Sequence, residues 1–350
     1  MGSPCEAAFL SSHPDVEVRV LCSPTNLHTM RGTYSRFKIH VSPLQIDQEH
    51  LNTKRMLDLM AVGQDDGPIP LYMHTVKRIL RELRIAQQQT QTGFNYQEFK
   101  RRVMSSNLTV AQLEPLTQRL DTLESFMPQI QAADSSGKRK KQPRGSDWKP
   151  KARRLTIVDL SCPCISPETA CSLFNICLGI FLEQNSETGR VVALDEAHKY
   201  MNSSIEARGF TETLLSAVRL QRHLGVRMII STQEPTVSTS LLNLCSVTIV
   251  HRFTSPEWLR VLQKHLAGAA ENPFSAQAQS DMADPQSESL FDRIVALQVG
   301  EALLFAPSAV VGADICDDGH VKFHRLRNGN LRVKIRSRLT SDGGRSVLSL

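Results

Sequence analysis

Arg190-Val191-Val192-Ala193-Leu194-Asp195-Glu196-Ala197-His198 is the stretch that decides the fold. Four apolar residues in a row read as a short buried strand. The strand stops on two adjacent carboxylates, Asp195 and Glu196. Charge left unpaired at the end of a buried strand is costly, so these acids are expected to face something cationic. In one reading the first acid helps hold Mg²⁺ and the second polarises an attacking water as general base. In the other the pair opens a helix, where acids complement the macrodipole.

The same rhythm repeats outward. Upstream, Leu155-Thr156-Ile157-Val158 ends on Asp159-Leu160-Ser161. Downstream, Val226-Arg227-Met228-Ile229-Ile230 ends on Ser231-Thr232-Gln233-Glu234-Pro235. Val247–Val250 and Glu301–Phe305 read as a fourth and a fifth strand. Helices are expected between them. One starts at Ser166-Pro167, with Ser as N-cap and Pro at the first helical position. One runs from about 209 to Leu224 and ends at Gly225. One follows Thr254-Ser255-Pro256-Glu257, which has capping-box spacing. Apolar strands alternating with helices predict an α/β fold with a mostly parallel sheet covered on both faces. Ligands in such sheets bind beyond the carboxyl ends of the strands. If the second and third strands are neighbours, Thr232 and Gln233 lie beside Asp195 and Glu196.

The first half of the chain differs. Val16–Leu21 reads as a strand stopped by Ser23-Pro24, and residues from about 45 to 130 read as helical. Ile79, Leu80, Leu83 and Ile85 are assigned to one apolar stripe, and Leu113, Leu116, Leu120 and Leu123 to another. Basic charge is concentrated at 134–154, which carries a net +7 against +6 for all 350 residues. This segment, rich in Gly, Ser and Pro, reads as a disordered linker. Its Lys138-Arg139-Lys140-Lys141 and Lys149–Arg154 runs also fit a nuclear import signal or contact with nucleic-acid phosphates. Near the end, Val321, Phe323 and Leu326, then Asn328-Gly329, then Leu331–Arg336, predict a basic β-hairpin with an Asn-Gly turn. No apolar run reaches membrane-spanning length. The first residues lack a secretory signal, so the chain reads as intracellular, nuclear or cytoplasmic, with its cysteines as thiols. Cys162, Cys164, Cys171 and Cys177 do not have zinc-site spacing. Cys171, Phe174, Cys177, Leu178 and Phe181 share one helical face, as core residues do.

Three successive strands ending Asp-Leu-Ser, Asp-Glu and Ser-Thr-Gln resemble the HerA/FtsK branch of P-loop ATPases, the RecA-like ring motors that move DNA. The resemblance rests on LTIVDLS, RVVALDEAHKYM, LQRHLGVRMIISTQEP, SVTIVHRFTSPEW and VGEALLF, and covers roughly 155–310. It implies a RecA-like core over 155–310 and the start of that core over 1–44. It further implies a helical insertion over 45–133, the basic linker over 134–154, and a basic hairpin and tail over 311–350. It implies that Asp195 is the Walker B acid for Mg²⁺ and Glu196 the catalytic base. Gln233 would be the sensor, with Thr232 and Asp159 beside the nucleotide. Arg222 and Arg252 are candidate fingers reaching a neighbouring subunit. ATP and Mg²⁺ are the implied cofactors, a homo- or hetero-oligomeric ring the implied assembly, and DNA the partner of the basic segments.

One family element is missing. The sequence contains no G-x-x-x-x-G-K-[ST], the loop whose backbone amides and Lys cradle the phosphates. Its nearest match, Ala132–Arg139, begins with Ala, ends with Arg and follows no strand. The expectation is therefore a truncated or degenerate member, inactive alone. The alternative is a non-catalytic homologue that acts as an interaction or regulatory subunit.

Overall fold

The structure, a computed structural model, describes residues 6–60, 71–132, 144–185, 187–202, 204–234, 237–266, 269, 289–315 and 320–337. The chain divides into two compact units. The first runs to Val192 and takes in Lys199–Met228; the second holds Ala193–His198 and Ile229–Leu339.

The first unit opens with α1 (Glu6–Ser12), β1 (Glu17–Cys22), α2 (Leu27–Tyr34) and β2 (His40–Pro43). Five helices follow: α3 (Thr53–Met60), α4 (Leu71–Thr90), α5 (Tyr96–Met104), α6 (Val110–Ser125) and α7 (Gln129–Ala132). Next come β3 (Arg154–Asp159), α8 (Pro167–Glu183), β4 (Arg190–Leu194), α9 (Ile205–Arg219), α10 (Gln221–Leu224) and β5 (Val226–Ile230), of which β4 and β5 begin in the first unit and end in the second. β1 is the middle strand of a parallel sheet ordered β2-β1-β3, with Val20 beside Val41 and Cys22 beside Asp159. Both faces of this central strand are covered: Val18, Val20 and Cys22 are buried on one side and Leu21 on the other, while Arg19 donates to Thr156 Oγ1 at 2.9 Å.

The helical region makes the core expected of it. Met56, Val76, Leu80, Phe99, Leu116 and Leu120 are fully enclosed, and each large apolar side chain contributes about 1.5–3 kcal/mol on burial. Ile85 departs from the expected stripe and is 54% exposed. Six residues after Ile79, a 100° helical step turns it well away from the buried face. Cys171, Cys177 and Leu178 are buried on α8, and Phe174 and Phe181 pack against the same core. No helix among the described residues is long and apolar enough to cross a membrane.

The basic linker divides in two. Residues 134–143 lie outside the described residues. Residues 144–154 are held in place, unlike the spacer expected over 134–154. Trp148 is buried, Gly145 N–H donates to Asp47 Oδ2 at 3.0 Å, and Ser146 N–H donates to Gln45 O at 2.7 Å. A Cβ at Gly145 would stand 2.6 Å from the Asp47 nitrogen, so only glycine fits. Lys151, Arg153 and Arg154 pair with Glu17, Asp15 and Glu17 respectively.

β4 and β5 pair with each other. Arg190 N–H donates to Gly225 O at 2.9 Å at one end and Ser231 N–H to Leu194 O at 2.9 Å at the other, which is parallel order. Both strands alternate in exposure instead of being buried throughout: Val191 is 60% and Ile229 58% exposed.

The second unit continues with α11 (Thr239–Leu244), β6 (Thr248–His251), α12 (Pro256–His265), α13 (Leu290–Val295), β7 (Glu301–Phe305), β8 (Val310–Ile315), β9 (Val321–Arg325) and β10 (Leu331–Lys334). β7 is antiparallel to both of its neighbours in a sheet ordered β10-β7-β6, so the fifth strand does not extend a parallel sheet. Val250, Leu262, Ile294, Leu303 and Phe305 form this unit's core. Ser255, not Thr254, takes the N-cap position of α12, and its side chain makes no capping hydrogen bond.

The C-terminal hairpin also forms differently. The expected strands exist, but β9 pairs with β8 and β10 with β7. After β9, Leu326 N–H still bonds Ala309 O and Arg327 N–H bonds Pro307 O. The Asn328-Gly329 turn then passes the chain to β7, which offers the buried Ala302 and Leu303 as a partner edge, whereas β9 is exposed along its length.

Candidate functional site

The most convergent cluster of polar side chains lies at the ends of β4 and β5, within the second unit. Ala197 N–H donates to Ser231 O at 2.9 Å, which pins the chain as it leaves β4. Ala197 is fully buried. Between these anchors Glu196 takes φ 51°, in the left-handed region that residues with a Cβ avoid. Its own N–H donates to Asp195 Oδ1 at 3.0 Å. A 3₁₀ turn, Ala197–Tyr200, follows.

This bend directs the Glu196 carboxylate at the β5 loop. Gln233 Nε2 donates to Glu196 Oε1 at 2.5 Å. His198 Nε2 stands 3.6 Å from Glu196 Oε2 and 3.9 Å from Glu234 Oε1. On its other side, His198 Nδ1 lies 3.4 Å from Thr232 Oγ1. The Thr232 hydroxyl accepts from Glu234 N–H at 3.2 Å and donates to Glu234 O at 3.0 Å, closing the loop on itself. Glu196 is thus a carboxylate with one oxygen fixed by an amide and the other facing an imidazole. That arrangement can hold a base in one orientation and bring a water under it.

Of the sequence-predicted residues, Asp195, Glu196, Thr232 and Gln233 come together here. Arg252 is exposed and follows β6, a strand of the other sheet. Asp159 and Arg222 belong to the first unit. Asp159 ends β3, where its Oδ1 accepts Ser161 N–H at 2.9 Å and also the Ser161 hydroxyl. Arg222 is exposed on α10.

No protein-family model matches the chain, and no curated protein matches it significantly. Several solved structures align with it, among them the following two. The genome packaging NTPase B204 from Sulfolobus turreted icosahedral virus 2, in complex with AMP, is 16% identical, covers 50% of this chain and 68% of its own, and has a TM-score of 0.29. VirB4 of Thermoanaerobacter pseudethanolicus is 10% identical, covers 93% of this chain and 82% of its own, and has a TM-score of 0.47.

Donor chemistry gives a test of the Mg²⁺ reading. Mg²⁺ takes oxygen ligands, usually one or two carboxylates with substrate phosphates and waters. Asp195 is exposed and is a ligand of that kind. Among the described residues no group of three His, Cys, Asp or Glu is arranged to hold a metal unaided. Waters and phosphate oxygens would complete the shell.

Sequence reasoning does not single out Glu234, and it leaves His198 without a partner. Their only sequence signal is position, since each sits within two residues of an expected site residue. Arg190 is also missed. Buried at the start of β4, it donates through Nη1 to the carbonyls of Phe181, Leu182 and Gln184 and through Nη2 to that of Leu224, and its guanidinium lies 5.6 Å from the Phe181 ring centre. It ties the end of α8 to the end of α10 and so fixes where β4 begins.

Proposed function

We propose that the chain is an ATPase-type α/β domain of the HerA/FtsK kind, in which the ends of β4 and β5 form the hydrolytic half of a nucleotide site. The observation that carries this reading is the Gln233 amide on the Glu196 carboxylate, made between neighbouring parallel strand ends. Mg²⁺, when bound with ATP, would supply charge neutralisation at the phosphoryl oxygens. Asp195 would hold it, Glu196 would take the proton of the attacking water, and Gln233 would orient that water. Arg222 and Arg252, both exposed, would serve the site of a neighbouring subunit in a ring. DNA would run against the basic segments, and turnover would drive its movement.

A second reading is favoured by the missing phosphate cradle. A chain without G-x-x-x-x-G-K-[ST] would be a non-catalytic subunit that lends an arginine to an active partner. Titration of the purified chain with fluorescent Mg·ATP, then ATPase assays after mixing with a full-length homologue, separates the two. Lack of micromolar binding by the chain alone is expected on both. On the first reading Glu196→Gln abolishes turnover in the mixture. Turnover that survives Glu196→Gln but is lost in Arg222→Ala or Arg252→Ala establishes the second. Micromolar binding by the chain alone would show that the phosphates are cradled by something other than the expected loop.

A further inference from the structure

The loop after β3 carries a pair of thiols that the ATPase reading does not use. Cys162-Pro163-Cys164-Ile165 forms a turn closed by Ile165 N–H on Cys162 O at 2.9 Å. Proline fixes the backbone between the two cysteines. Cα atoms two residues apart lie within about 7 Å of each other, and disulfides span such distances. Cys162 N–H also donates to Leu160 O at 2.8 Å, so the backbone is held on both sides of the Cys162 sulfur. Thr25 Oγ1 stands 3.1 Å from that sulfur, and Ser23 Oγ lies 2.7 Å behind Thr25 Oγ1. Asn26 Nδ2 donates to Ser161 O at 2.9 Å, holding the loop against the residues that follow β1.

The other thiols among the described residues are set apart. Cys22, Cys171 and Cys177 are buried, which pushes them up to about 11, 11 and 12. Cys245 is an exposed residue whose thiol is raised by local desolvation. At Cys162 burial again acts upward, but the hydrogen bonds from Thr25, Cys164 and Ser23 outweigh it and hold the thiol below its ordinary value. Cys162 is part-exposed and Cys164 exposed, so an oxidant can reach both.

We propose that Cys162 and Cys164 form a peroxide-responsive dithiol. The Cys162 thiolate attacks one oxygen of hydrogen peroxide. An S–O bond forms, the O–O bond breaks, and the departing hydroxide takes a proton to become water. The Cys164 sulfur then attacks the sulfenic acid. The S–S bond forms, the S–O bond breaks, and hydroxide leaves as a second water with the Cys164 proton. The protein loses two electrons and two protons, and one peroxide becomes two waters. A small-molecule dithiol reverses the change by exchange. The loop it re-sets begins at Asp159 and Ser161.

Differential alkylation of the full chain tests this. The chain is exposed to hydrogen peroxide, unfolded and blocked with N-ethylmaleimide in denaturant, reduced, labelled with iodoacetamide and mapped by mass spectrometry. Cys162 and Cys164 are expected to acquire the second label together while Cys171 and Cys177 keep the first. In Cys164→Ser, Cys162 is expected to stop at the sulfenic acid and be trapped by dimedone. Thr25→Val, an exposed change, is expected to slow alkylation of Cys162 several-fold. The proposal is overturned if Cys162 resists peroxide that oxidises free cysteine. It is equally overturned if Cys162 oxidises without Cys164, or forms a disulfide between chains instead.

Discussion

Gln233 and Glu196, 37 residues apart in sequence, meet side chain to side chain at 2.5 Å where two parallel strands end. The bond forms because Glu196 sits at φ 51°, which swings its carboxylate across to the neighbouring strand. A residue with a Cβ is strained by about 1–2 kcal/mol in this region.

That strain makes Glu196→Gly informative. Glycine removes it but adds about 0.5–1 kcal/mol of unfolded-chain entropy to be overcome. Glycine and alanine both give up the bond to Gln233, so the expected net is a margin of about 0.5 kcal/mol for Glu196→Gly over Glu196→Ala, read as a higher melting temperature. Glu196→Ala keeps the strain, loses the bond to Gln233, and should melt below wild type. A Glu196→Gly variant that melts no higher than Glu196→Ala would show that the conformation carries no strain.

Arg190→Lys should behave as a drastic change. A lysine cannot reach four carbonyls on two helix ends from one position or lie flat on Phe181. The loss expected is about 2–4 kcal/mol, since several buried carbonyls lose their donor. Urea denaturation measures it, with Arg190→Ala expected to be no more than slightly worse.

Asp47 gives the chain an acid-sensitive fastening. Burial alone would raise this carboxyl, but the amides of Glu49 and Gly145 and the Gln131 side chain outweigh it and hold the group below its ordinary value. The folded value is the lower one, so the stabilisation is complete above the unfolded value of about 3.9. It is lost as pH falls through the folded value. Asp47→Asn should therefore cost about 1.5–3 kcal/mol at neutral pH and almost nothing once wild-type Asp47 is protonated. Urea midpoints of the two proteins should converge on acidification; a constant gap would exclude a role for the charge.

Changing Lys138, Arg139, Lys140 and Lys141 to Gln tests the expected DNA contact. Each phosphate neutralised contributes about 0.9 to the slope of log affinity against log salt, so the four should flatten it by about 3–4. Lys151, Arg153 and Arg154 already face Glu17 and Asp15, and their replacement should change the slope less. An unchanged slope in the first variant would remove the 138–141 run from the interface.

How far the sequence could be read depended on whether the signal was local. Ser166 and Gly225 announce helix ends because capping acts over three residues, and both do so here. Asp195, Glu196 and Gln233 were legible because each ends a run of apolar residues, and β4 and β5 prove to be neighbours. Pairing partners were not legible in the same way. Leu331–Lys334 has the alternation of a strand, but nothing in it says that β7 rather than β9 is its partner. Arg190 was hidden because its partners are carbonyls, which carry no residue identity. The fastening of 144–154 was hidden because charge and proline content describe a segment's average, and one glycine packed against Asp47 does not alter the average.

The parallel sheet around β1 has a consequence for how the protein is made. Arg19 and Thr156, bonded across β1 and β3, are 137 residues apart. At roughly 5–20 residues per second of translation, β1 emerges from the ribosome roughly 7–27 s before the strand that will flank it. Its early edge is open to foreign strands through that interval, so a nascent-chain chaperone that covers β1 should raise the yield of this protein.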